Sequence, residues 1–499
     1  MGVIQRQGLK HTIVSYFGVL IGLFSTIFIY PRVPELYGLF RVIIDATMLI
    51  VSFFSLGLST HAVKFFPKFK NLKTGHHGFL GFLLIGSSIG FIIFLVCLPL
   101  IRFLFLDILL SKSESIKLLT EYFYYLVPMV FLFIFNAIFY KYVSNFNRVV
   151  VPNIFEIFIK ITVPFLALLF LGNYINTQFF VLGVILNYVI VFIGFLIYTK
   201  SLGQLFFHLN LKFIKPPLRK EIQKFSLFGL LNALGGQLAF KIDTLMVAAM
   251  IDITSTGIYA IALVITEVIS KPAKGIIAIS SPIISSSWES NDLEHIKLIY
   301  QKSSTVLLVV GWLVFLGIWG SIHDLIEIMP NSEMIKTGVN VILFLGLAKI
   351  VDLATSLNTD IIGFSKKYQF NFYALLILSV LNIVFNLYFI PIYGLVGTAI
   401  ATFCSLTLFN VVKLIFIWFN FKIQPFTLAT VKTLLLAGLC WSMIYFVPFN
   451  FHPFVNIMLR SILLTIVFGS LTLYLEISPD INGVVKSGLE KLKKITRNK

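Results

Sequence analysis

The chain has 499 residues, of which 58% are hydrophobic and only 12% carry a charged side chain, and its formal net charge is +18. Ordinary water-soluble domains do not have this balance, so the composition excludes a soluble enzyme. The basic residues stand in short segments between apolar runs instead of on one polar domain. This pattern favours a positive-inside membrane topology over binding to nucleic acid.

About fourteen apolar stretches of roughly 20 residues each predict an all-α integral membrane protein with about 14 transmembrane helices. The predicted spans are, in chain order, 11–30, 37–61, 79–105, 118–143, 149–171, 178–199, 222–250, 257–283, 303–327, 336–363, 371–391, 394–420, 427–447 and 455–476. Every connection on the outer side is short, which leaves no room for a catalytic domain outside the membrane.

Lys and Arg are distributed unevenly between the two sides of the predicted membrane. If both termini are cytoplasmic, the outer segments hold only Arg32, Lys112, Lys117 and Lys336, and the inner segments hold several times as many basic residues. This asymmetry predicts that both termini lie in the cytoplasm.

A basic connection between Lys200 and Lys224 predicts a linker between two halves of the chain. The motif Glu35-Leu-Tyr-Gly-Leu-Phe is echoed by Thr256-Gly-Ile-Tyr-Ala-Ile, which supports an internal repeat, although Tyr and Gly also favour the membrane interface. The segment Ser285–Lys302 is amphipathic and is predicted to lie on the membrane surface. The predicted divisions are a six-span lobe at 1–200, a linker at 201–221, a second six-span lobe at 222–422, two extra helices at 423–476 and a basic cytoplasmic tail at 477–499.

Several predicted spans contain charged side chains, each of which costs about 2.5–3.5 kcal/mol when unpaired in a bilayer. They are Arg41, Asp45, Glu156, Lys160, Lys241, Asp243, Glu267, Lys271, Lys349, Asp352 and Arg460. Four pairs are spaced i,i+3 or i,i+4, so self-neutralisation along one helix face is one interpretation. The interpretation that we favour is a polar cavity lined by these residues.

Lys241 and Asp243 are two residues apart, so they cannot share a helix face and at least one needs a partner on another helix. Cations in a low-dielectric site attract phosphate. Our candidates for substrate binding are Arg41, Lys160, Lys241, Lys271 and Lys349. The carboxylates beside them could bind H⁺ or Na⁺, and our candidates for ion coupling are Asp45, Asp243, Glu267 and Asp352.

The sequence contains no Walker-type loop, HExxH, CxxC or GxSxG motif. This absence disfavours an ATP-driven pump and a metal hydrolase. We therefore expect a protein that is not an enzyme and that uses no metal and no cofactor.

Three groups of residues resemble the polysaccharide-biosynthesis (O-antigen type) flippases of the multidrug/oligosaccharidyl-lipid/polysaccharide exporter superfamily. They are Tyr37-Gly38-Leu39-Phe40, then Asp243-Thr244-Leu245 followed by Gly257-Ile-Tyr259-Ala260, and finally Ile390-Pro-Ile-Tyr393-Gly394-Leu-Val-Gly397-Thr-Ala399-Ile-Ala401-Thr. The resemblance covers nearly the whole chain. It implies two pseudo-symmetric six-helix lobes around a central cavity, plus two C-terminal helices.

The resemblance also implies a function, namely movement of an undecaprenyl-pyrophosphate-linked oligosaccharide from the cytoplasmic to the outer leaflet of a bacterial inner membrane. The expected partners are this lipid-linked oligosaccharide, membrane lipids, H⁺ or Na⁺, and the polysaccharide polymerase and glycosyltransferases of the same pathway. An H⁺- or Na⁺-coupled drug or metabolite exporter is the alternative. A membrane glycosyltransferase would need an acidic catalytic cluster and an outward loop, and a scaffold would not need buried charges.

Overall fold

A computed structural model describes residues 3–109, 115–146, 148, 150–446, 450–483 and 485–487, with side chains from Tyr16 onward except at 109, 227, 228, 232, 445 and 446. Lys112 and the tail residues 488–499 lie outside the described residues. The described residues contain no β-strand, and the predicted all-α fold is confirmed.

The described residues of the first half form eleven α-helices. They are α1 (Val3–Phe28), α2 (Pro34–Phe54), α3 (Leu58–Lys64), α4 (Phe66–Phe69), α5 (Phe79–Arg102), α6 (Ile116–Tyr122), α7 (Leu126–Ser144), α8 (Val150–Leu171), α9 (Thr177–Ser201), α10 (Pro216–Met250) and α11 (Ile253–Glu267). Short 3₁₀ segments lie at Tyr30–Arg32, Leu72–Thr74, His76–Gly78, Phe123–Tyr125 and Leu211–Phe213, and a π-helical segment lies at Phe103–Leu109.

Further α-helices follow in the described residues of the second half, after a 3₁₀ turn at Val268–Ser270. They are α12 (Lys271–Glu289), α13 (Leu293–Gly320), α14 (Ile322–Glu327), α15 (Ser332–Lys336), α16 (Val339–Ala354), α17 (Asn358–Phe364), α18 (Phe370–Tyr393), α19 (Leu395–Phe421), α20 (Leu428–Phe446) and α21 (Pro453–Tyr474).

Each of the predicted spans overlaps one of these helices, but the predicted number of 14 is not confirmed. Among the described residues, 11 helices are long and apolar enough to cross a membrane, or 12 if the bent pair α16 and α17 is one span. The predicted spans 11–30 and 427–447 correspond to shorter apolar helices in the described part of the chain, Tyr16–Arg32 and Leu428–Ile444.

Exposed apolar side chains show which solvent these helices require. In the candidate span His76–Ile108, which contains α5, the most apolar window has a mean hydropathy of 2.7, yet only 17% of it is buried within the protein. Ile89, Ile92 and Val96 of this helix are all more than half exposed. A helix of this kind is stable in lipid, where an apolar surface has no hydration penalty and every backbone hydrogen bond is made within the helix.

Local sequence explains where several helices begin and end. Pro34 and Pro216 occupy the first turns of α2 and α10, where a missing N–H costs nothing. Gly57 adopts a φ of +68° and separates α2 from α3. The Asp292 side chain accepts a hydrogen bond from the backbone N of His295 at 2.9 Å and caps α13.

Two predicted connections contain helix ends. α10 begins at Pro216, inside the predicted linker 201–221, and the division of the chain at that linker stays a prediction. Within the amphipathic segment 285–302, α12 ends at Glu289 and α13 begins at Leu293, and the location of this segment on the membrane surface stays a prediction. Asn291 adopts a φ of +56° just after α12, and Asp292 caps α13.

The chain divides into two compact units, Met1–Ile261 and Ala262–Lys499. In the first unit α2 packs against α7 and α10, and α8 packs against α1 and α9. In the second unit α19 packs against α16, α17 and α18, and α13 packs against α12, α16, α20 and α21. The predicted arrangement of two six-helix lobes around a central cavity stays a prediction.

Candidate functional site

Arg41 and Asp45 lie on the same face of α2, one helical turn apart. Arg41 Nη2 donates a hydrogen bond to Asp45 Oδ2 at 3.0 Å. The pairing follows from the i,i+4 spacing, which brings side chains together on an α-helix. Because Asp45 is fully buried, the guanidinium neutralises a carboxylate that water does not reach.

A second cation reaches the same carboxylate from a neighbouring helix. Lys241 on α10 places its Nζ 3.2 Å from Asp45 Oδ1, and α10 packs along α2. One buried carboxylate therefore holds two cations from two helices. The two-residue spacing of Lys241 and Asp243 predicted that one of them needs a partner elsewhere, and for Lys241 that partner is Asp45.

Asp243 has a different environment from Lys241, as expected for residues that do not share a helix face. The Asp243 side chain is 4% exposed, and its Oδ2 accepts a hydrogen bond from the hydroxyl of Tyr259 on α11 at 3.3 Å. Tyr259 itself is fully buried. The sequence analysis quoted Tyr259 as part of a motif but did not include it among the candidate site residues.

Acids and bases in this cluster differ in their exposure. The side chains of Arg41 and Lys241 are 19% and 27% exposed, whereas that of Asp45 is 0% exposed. The cluster thus has equal numbers of acids and bases, but a ligand that approaches it meets the cations first. Such a surface attracts phosphate or another anion, with the carboxylates holding the cations in place from behind.

The first turns of α2 and α11 cross at very short distance beside this cluster. A Cβ atom placed on Gly38 would lie 1.9 Å from the carbonyl O of Ile253, and one on Gly257 would lie 2.0 Å from the carbonyl O of Pro34. Only glycine permits both contacts. Next to this crossing, the ring of Tyr37 stacks on that of Tyr30 with 4.0 Å between centroids. The two glycines of this crossing belong to the two echoed motifs, Glu35–Phe40 and Thr256–Ile261.

Glu156 and Lys160 on α8 lie outside this cluster. Among the described side chains neither makes an ion pair within 4 Å, although their spacing permits one. Glu156 instead lines a mostly apolar cavity of about 190 Å³ together with Tyr140 and Tyr188.

The second unit contains the remaining predicted site residues. Lys271 Nζ donates to Glu267 Oε1 at 2.8 Å, and Lys349 acts on Glu267 electrostatically. The Glu267 side chain is 52% exposed, so this pair is open to solvent or ligand. Asp352 does not pair with Lys349 within the described part of the chain, and its Oδ1 accepts a hydrogen bond from Asn410 Nδ2 at 3.4 Å.

Arg460 has a structural partner that the sequence did not indicate. Its Nη1 forms an ion pair with Asp324 Oδ2, which joins α21 to α14. Asn456 Nδ2 donates to the other carboxylate oxygen of Asp324 at 2.8 Å. With both oxygens of Asp324 occupied, this group fixes the position of α21.

The sequence analysis missed one buried cation. Lys413 on α19 is 2% exposed, and its Nζ donates to Thr359 Oγ1 at 2.5 Å. A Lys within the predicted span 394–420 was a visible signal, but it has no acidic residue three or four positions away and so does not form a recognisable pair.

Comparisons with known proteins support a transporter. The family model for polysaccharide biosynthesis proteins matches residues 8–288. The probable flippase AglR of Haloferax volcanii is 26% identical over 208 residues, which are 40% of this chain and 43% of that protein. The match thus spans less than half the length of this curated relative.

Two solved structures have a similar fold. The lipid II flippase MurJ in an inward closed conformation superposes with a TM-score of 0.72 at 19% identity, covering 92% of this chain and 98% of that one. An inward-facing multidrug resistance MATE family transporter of the MOP superfamily gives a TM-score of 0.63 at 15% identity, covering 81% of this chain and 94% of that one. At these identities the likeness concerns the fold alone.

Proposed function

This chain belongs to the polysaccharide biosynthesis protein family, and from that premise we propose that it flips an undecaprenyl-pyrophosphate-linked oligosaccharide across a bacterial inner membrane. The passenger moves from the cytoplasmic to the outer leaflet by alternating access. Three findings support a flippase or transporter of the multidrug/oligosaccharidyl-lipid/polysaccharide exporter superfamily: the family match, the similarity to a probable flippase, and the similarity of the fold to those of solved transporters. The undecaprenyl-linked passenger is the finer part of this proposal.

The observation that carries the proposal is the order of charges around Asp45. Arg41 and Lys241 present their partly exposed cationic ends, while the carboxylate that holds them is buried. A pyrophosphate carries several negative oxygens and can bind a guanidinium and an ammonium together. Lys160, Lys271 and Lys349 are further candidates for contacts with the passenger.

Binding of a phosphate would change the state of the carboxylates. When the passenger engages Arg41 and Lys241, its phosphates bring negative charge close to Asp45, which favours the binding of a cation such as H⁺ or Na⁺ there. Asp45 and Asp243 are therefore our first candidates for ion coupling, followed by Glu267 and Asp352. This arrangement links the binding of an anionic passenger to the binding of a cation.

The test is translocation of a labelled lipid-pyrophosphate oligosaccharide in proteoliposomes. We expect Lys241→Ala to lose at least about ten-fold in rate, since one charge-assisted hydrogen bond contributes about 1.5–3 kcal/mol. Lys224→Ala is the matched control, because Lys224 is an exposed lysine on the same helix, and it should keep the wild-type rate. Equal rates for wild type and Lys241→Ala would contradict the assignment of Lys241.

The fold likeness to the MATE transporter supports one alternative, an H⁺- or Na⁺-coupled drug or metabolite exporter. The same proteoliposomes separate the two functions. An exporter would leave the lipid-linked passenger where it is and would move a soluble amphipathic compound against an ion gradient. The flippase proposal also includes a cytoplasmic location of both termini and cooperation with the polymerase and glycosyltransferases of the same pathway.

A further inference from the structure

Two connecting segments of the first unit lie against each other and form one surface. The first, residues 70–78, joins α4 to α5, and the second, residues 204–215, makes up most of the connection from α9 to α10. We call them the paired loops. His76 Nε2 lies 2.6 Å from Gln204 Oε1. Two further contacts join the loops: His208 Nε2 lies 3.1 Å from the carbonyl O of Thr74, and the ring of His77 stacks on that of Phe213.

The first of the paired loops has an unusual backbone. Four consecutive residues, Gly75 to Gly78, have φ values between +50° and +73°, and two of them are histidines. A residue other than glycine is strained in this region, and such strain persists only where the surroundings hold it. A Cβ atom placed on Gly78 would lie 2.7 Å from the backbone N of Asn210. The turn therefore brings the two loops into direct backbone contact, which holds the second loop in a defined position.

Large apolar side chains of both loops are exposed. Leu72, Phe207 and Leu211 are each 61% exposed, and none of them belongs to a candidate membrane span. Exposure of such side chains to water is unfavourable, whereas at the boundary of a bilayer they can enter the acyl region. α9 ends at Ser201, so the second loop begins close to the point where a candidate span leaves the membrane. This position favours contact with lipid.

The surface around these apolar side chains is strongly basic. α10 has 35 residues and is about 50 Å long, so its basic first turns can extend past a hydrocarbon core of about 30 Å. Glu221 is the one acidic residue in the ranges 55–79 and 199–226, and it pairs with Lys68. The exposed Lys and Arg side chains of these ranges are Lys64, Lys68, Lys70, Lys73, Lys200, Lys212, Lys215, Arg219, Lys220 and Lys224.

The combination of exposed apolar side chains and exposed cations fits one class of partner. An acidic phospholipid has a phosphate that lysines attract and acyl chains that Leu72, Phe207 and Leu211 can contact. Free phosphate and nucleic acid offer the negative charge but no aliphatic surface. Basic segments next to membrane spans attract anionic lipids, and the attraction falls off within a Debye length of the membrane surface.

We propose that the paired loops bind acidic phospholipids of the leaflet that they face. The lysines of the loops attract the headgroup, and the exposed apolar side chains between them enter the acyl region. The bound lipid holds the connection between α9 and α10 at the membrane surface. This inference concerns lipids of the bilayer and not the lipid-linked passenger, so it does not rest on the proposed function. The lysines are Lys70, Lys73, Lys212 and Lys215.

The test compares how closely two lipids approach the loops of the full-length protein. In the parent variant the three free cysteines, Cys97, Cys404 and Cys440, are replaced by Ala, and Leu211→Cys carries an apolar fluorophore in place of the leucine side chain. The protein is reconstituted into phosphatidylcholine vesicles. Quenching by a small fraction of spin-labelled phosphatidylglycerol is compared with quenching by the same fraction of spin-labelled phosphatidylcholine. The ratio of the two association constants measures the preference for acidic lipid.

We expect a ratio of at least about five in the parent, since a single lysine near an acidic membrane surface contributes about this factor. Salt at about 1 M should lower the ratio, because it shortens the Debye length to about 3 Å. Replacement of all four loop lysines by Gln should reduce the ratio to below about two. The substitutions are Lys70→Gln, Lys73→Gln, Lys212→Gln and Lys215→Gln.

Two controls separate this site from general effects of charge and exposure. Tyr174 is 80% exposed just before the start of α9, and the sequence has no charged residue from 161 to 199. A fluorophore on Tyr174→Cys should therefore give a ratio of about one. Replacement of four exposed lysines of the second unit by Gln changes the net charge equally and should leave the ratio at position 211 unchanged. These lysines are Lys336, Lys366, Lys367 and Lys422.

A ratio near one in the parent would overturn the proposal, and so would an unchanged ratio after replacement of the four loop lysines. Loss of the preference on addition of inorganic phosphate at constant ionic strength would also overturn it, because the surface would then bind free phosphate. Circular dichroism shows whether each variant is folded. If the four-fold variant does not fold, the double variant Lys212→Gln and Lys215→Gln should still lower the ratio at least about two-fold. Since the measurement contains no passenger, failure of lipid transport would leave its outcome untouched.

Discussion

In the first unit the acid is buried and the bases reach outward: Asp45 is fully buried, while the side chains of Arg41 and Lys241 are 19% and 27% exposed. In the second unit the base is buried, since Lys413 is 2% exposed, and Asp352 beside it is exposed. The first cluster has ion pairs within 4 Å and presents positive charge, which suits the binding of an anion. Among the described residues the second has no such pair at Lys413, whose ammonium donates to the hydroxyl of Thr359 instead.

The largest effect that we expect comes from Asp45→Ala. This substitution removes the counter-ion that Arg41 and Lys241 share, and both cations are less than one third exposed. The free energy of unfolding should fall by about 3 kcal/mol, because removal of one partner of a buried ion pair costs about 3–5 kcal/mol. Thermal unfolding in detergent measures the change.

Two further variants test the cause of that loss. Glu35→Ala changes an exposed acid on the same helix and should leave the stability within about 0.5 kcal/mol of the wild type. The double variant with Asp45→Ala and Lys241→Met should recover part of the loss, because it removes one of the two unpaired cations. A double variant that is no more stable than Asp45→Ala would contradict the ion-pair explanation.

For the buried cation of the second unit, we expect a change in the free energy of unfolding of the opposite sign. Lys413→Met replaces an ammonium without an ion pair by an apolar side chain of similar length, so the free energy of unfolding should rise by about 1–2 kcal/mol. Lys241→Met should instead lower it, because Asp45 loses one of its cations. Thermal unfolding of the two variants measures both changes. A Lys413→Met variant that is less stable than the wild type would show that the surroundings of Lys413, like those of Lys241, stabilise its charge.

His61 is a buried titratable group of a third kind, held neutral between two helices. Its Nδ1 lies 2.8 Å from the carbonyl O of Gly57, and its Nε2 lies 3.0 Å from Ser226 Oγ on α10. Burial lowers the pKa of His61, more strongly than its backbone hydrogen bonds to Gly57 and Ile222 raise it, and nearby Lys64 lowers it further.

This lowered pKa predicts how stability depends on pH. The unfolded chain binds a proton at His61 near its ordinary pKa of about 6.5, more readily than the folded chain does. The contribution of His61 to stability is therefore complete above about pH 6.5 and falls as the pH drops from there to the lower folded pKa. The loss is about 1.4 kcal/mol for each unit by which the pKa is lowered.

Unfolding by heat at several pH values between about 4.5 and 7.5 measures this slope. His61→Gln should reduce it, since Gln keeps polar contacts but does not titrate. His208→Gln is the control, because His208 is exposed, and it should behave as the wild type. Identical slopes in all three proteins would show that His61 does not change its protonation between the folded and the unfolded state.

Positions of helices followed from the sequence, because apolar runs of 20 residues have few alternatives in a membrane. The breaks between helices could not be predicted in this way, because apolar residues continue across them. Leu56 stands at the break between α2 and α3, and Leu357 stands at the break between α16 and α17. A window of about 19 residues averages over such short interruptions.

Partners of charges were predictable only when they were local. The pairs Arg41–Asp45 and Lys271–Glu267 follow from the i,i+4 spacing, and the structure contains both. The contact of Lys241 with Asp45 depends on the packing of α10 against α2, which one sequence does not specify. Lys413 was missed for the same reason, because the groups that act on it belong to α16 and α17.

The smallest expected effect concerns the ion pair between Lys68 and Glu221, which joins α4 to α10. The Nζ–Oε2 distance is 2.5 Å, yet the side chains are 49% and 43% exposed. A double-mutant cycle with Lys68→Ala and Glu221→Ala should give a coupling of about 0–1 kcal/mol, because exposed pairs are screened by water and lose side-chain entropy. The coupling should vanish in about 1 M salt, where the Debye length is about 3 Å.

The same cycle on Asp45 and Lys241 should give a larger coupling that survives high salt, because ions do not reach a buried carboxylate. Distance alone would rank the two pairs the other way, since Lys68 lies closer to its partner than Lys241 does. If both couplings disappeared with salt, Asp45 would be accessible to ions, and the cationic surface inferred from its burial would not exist.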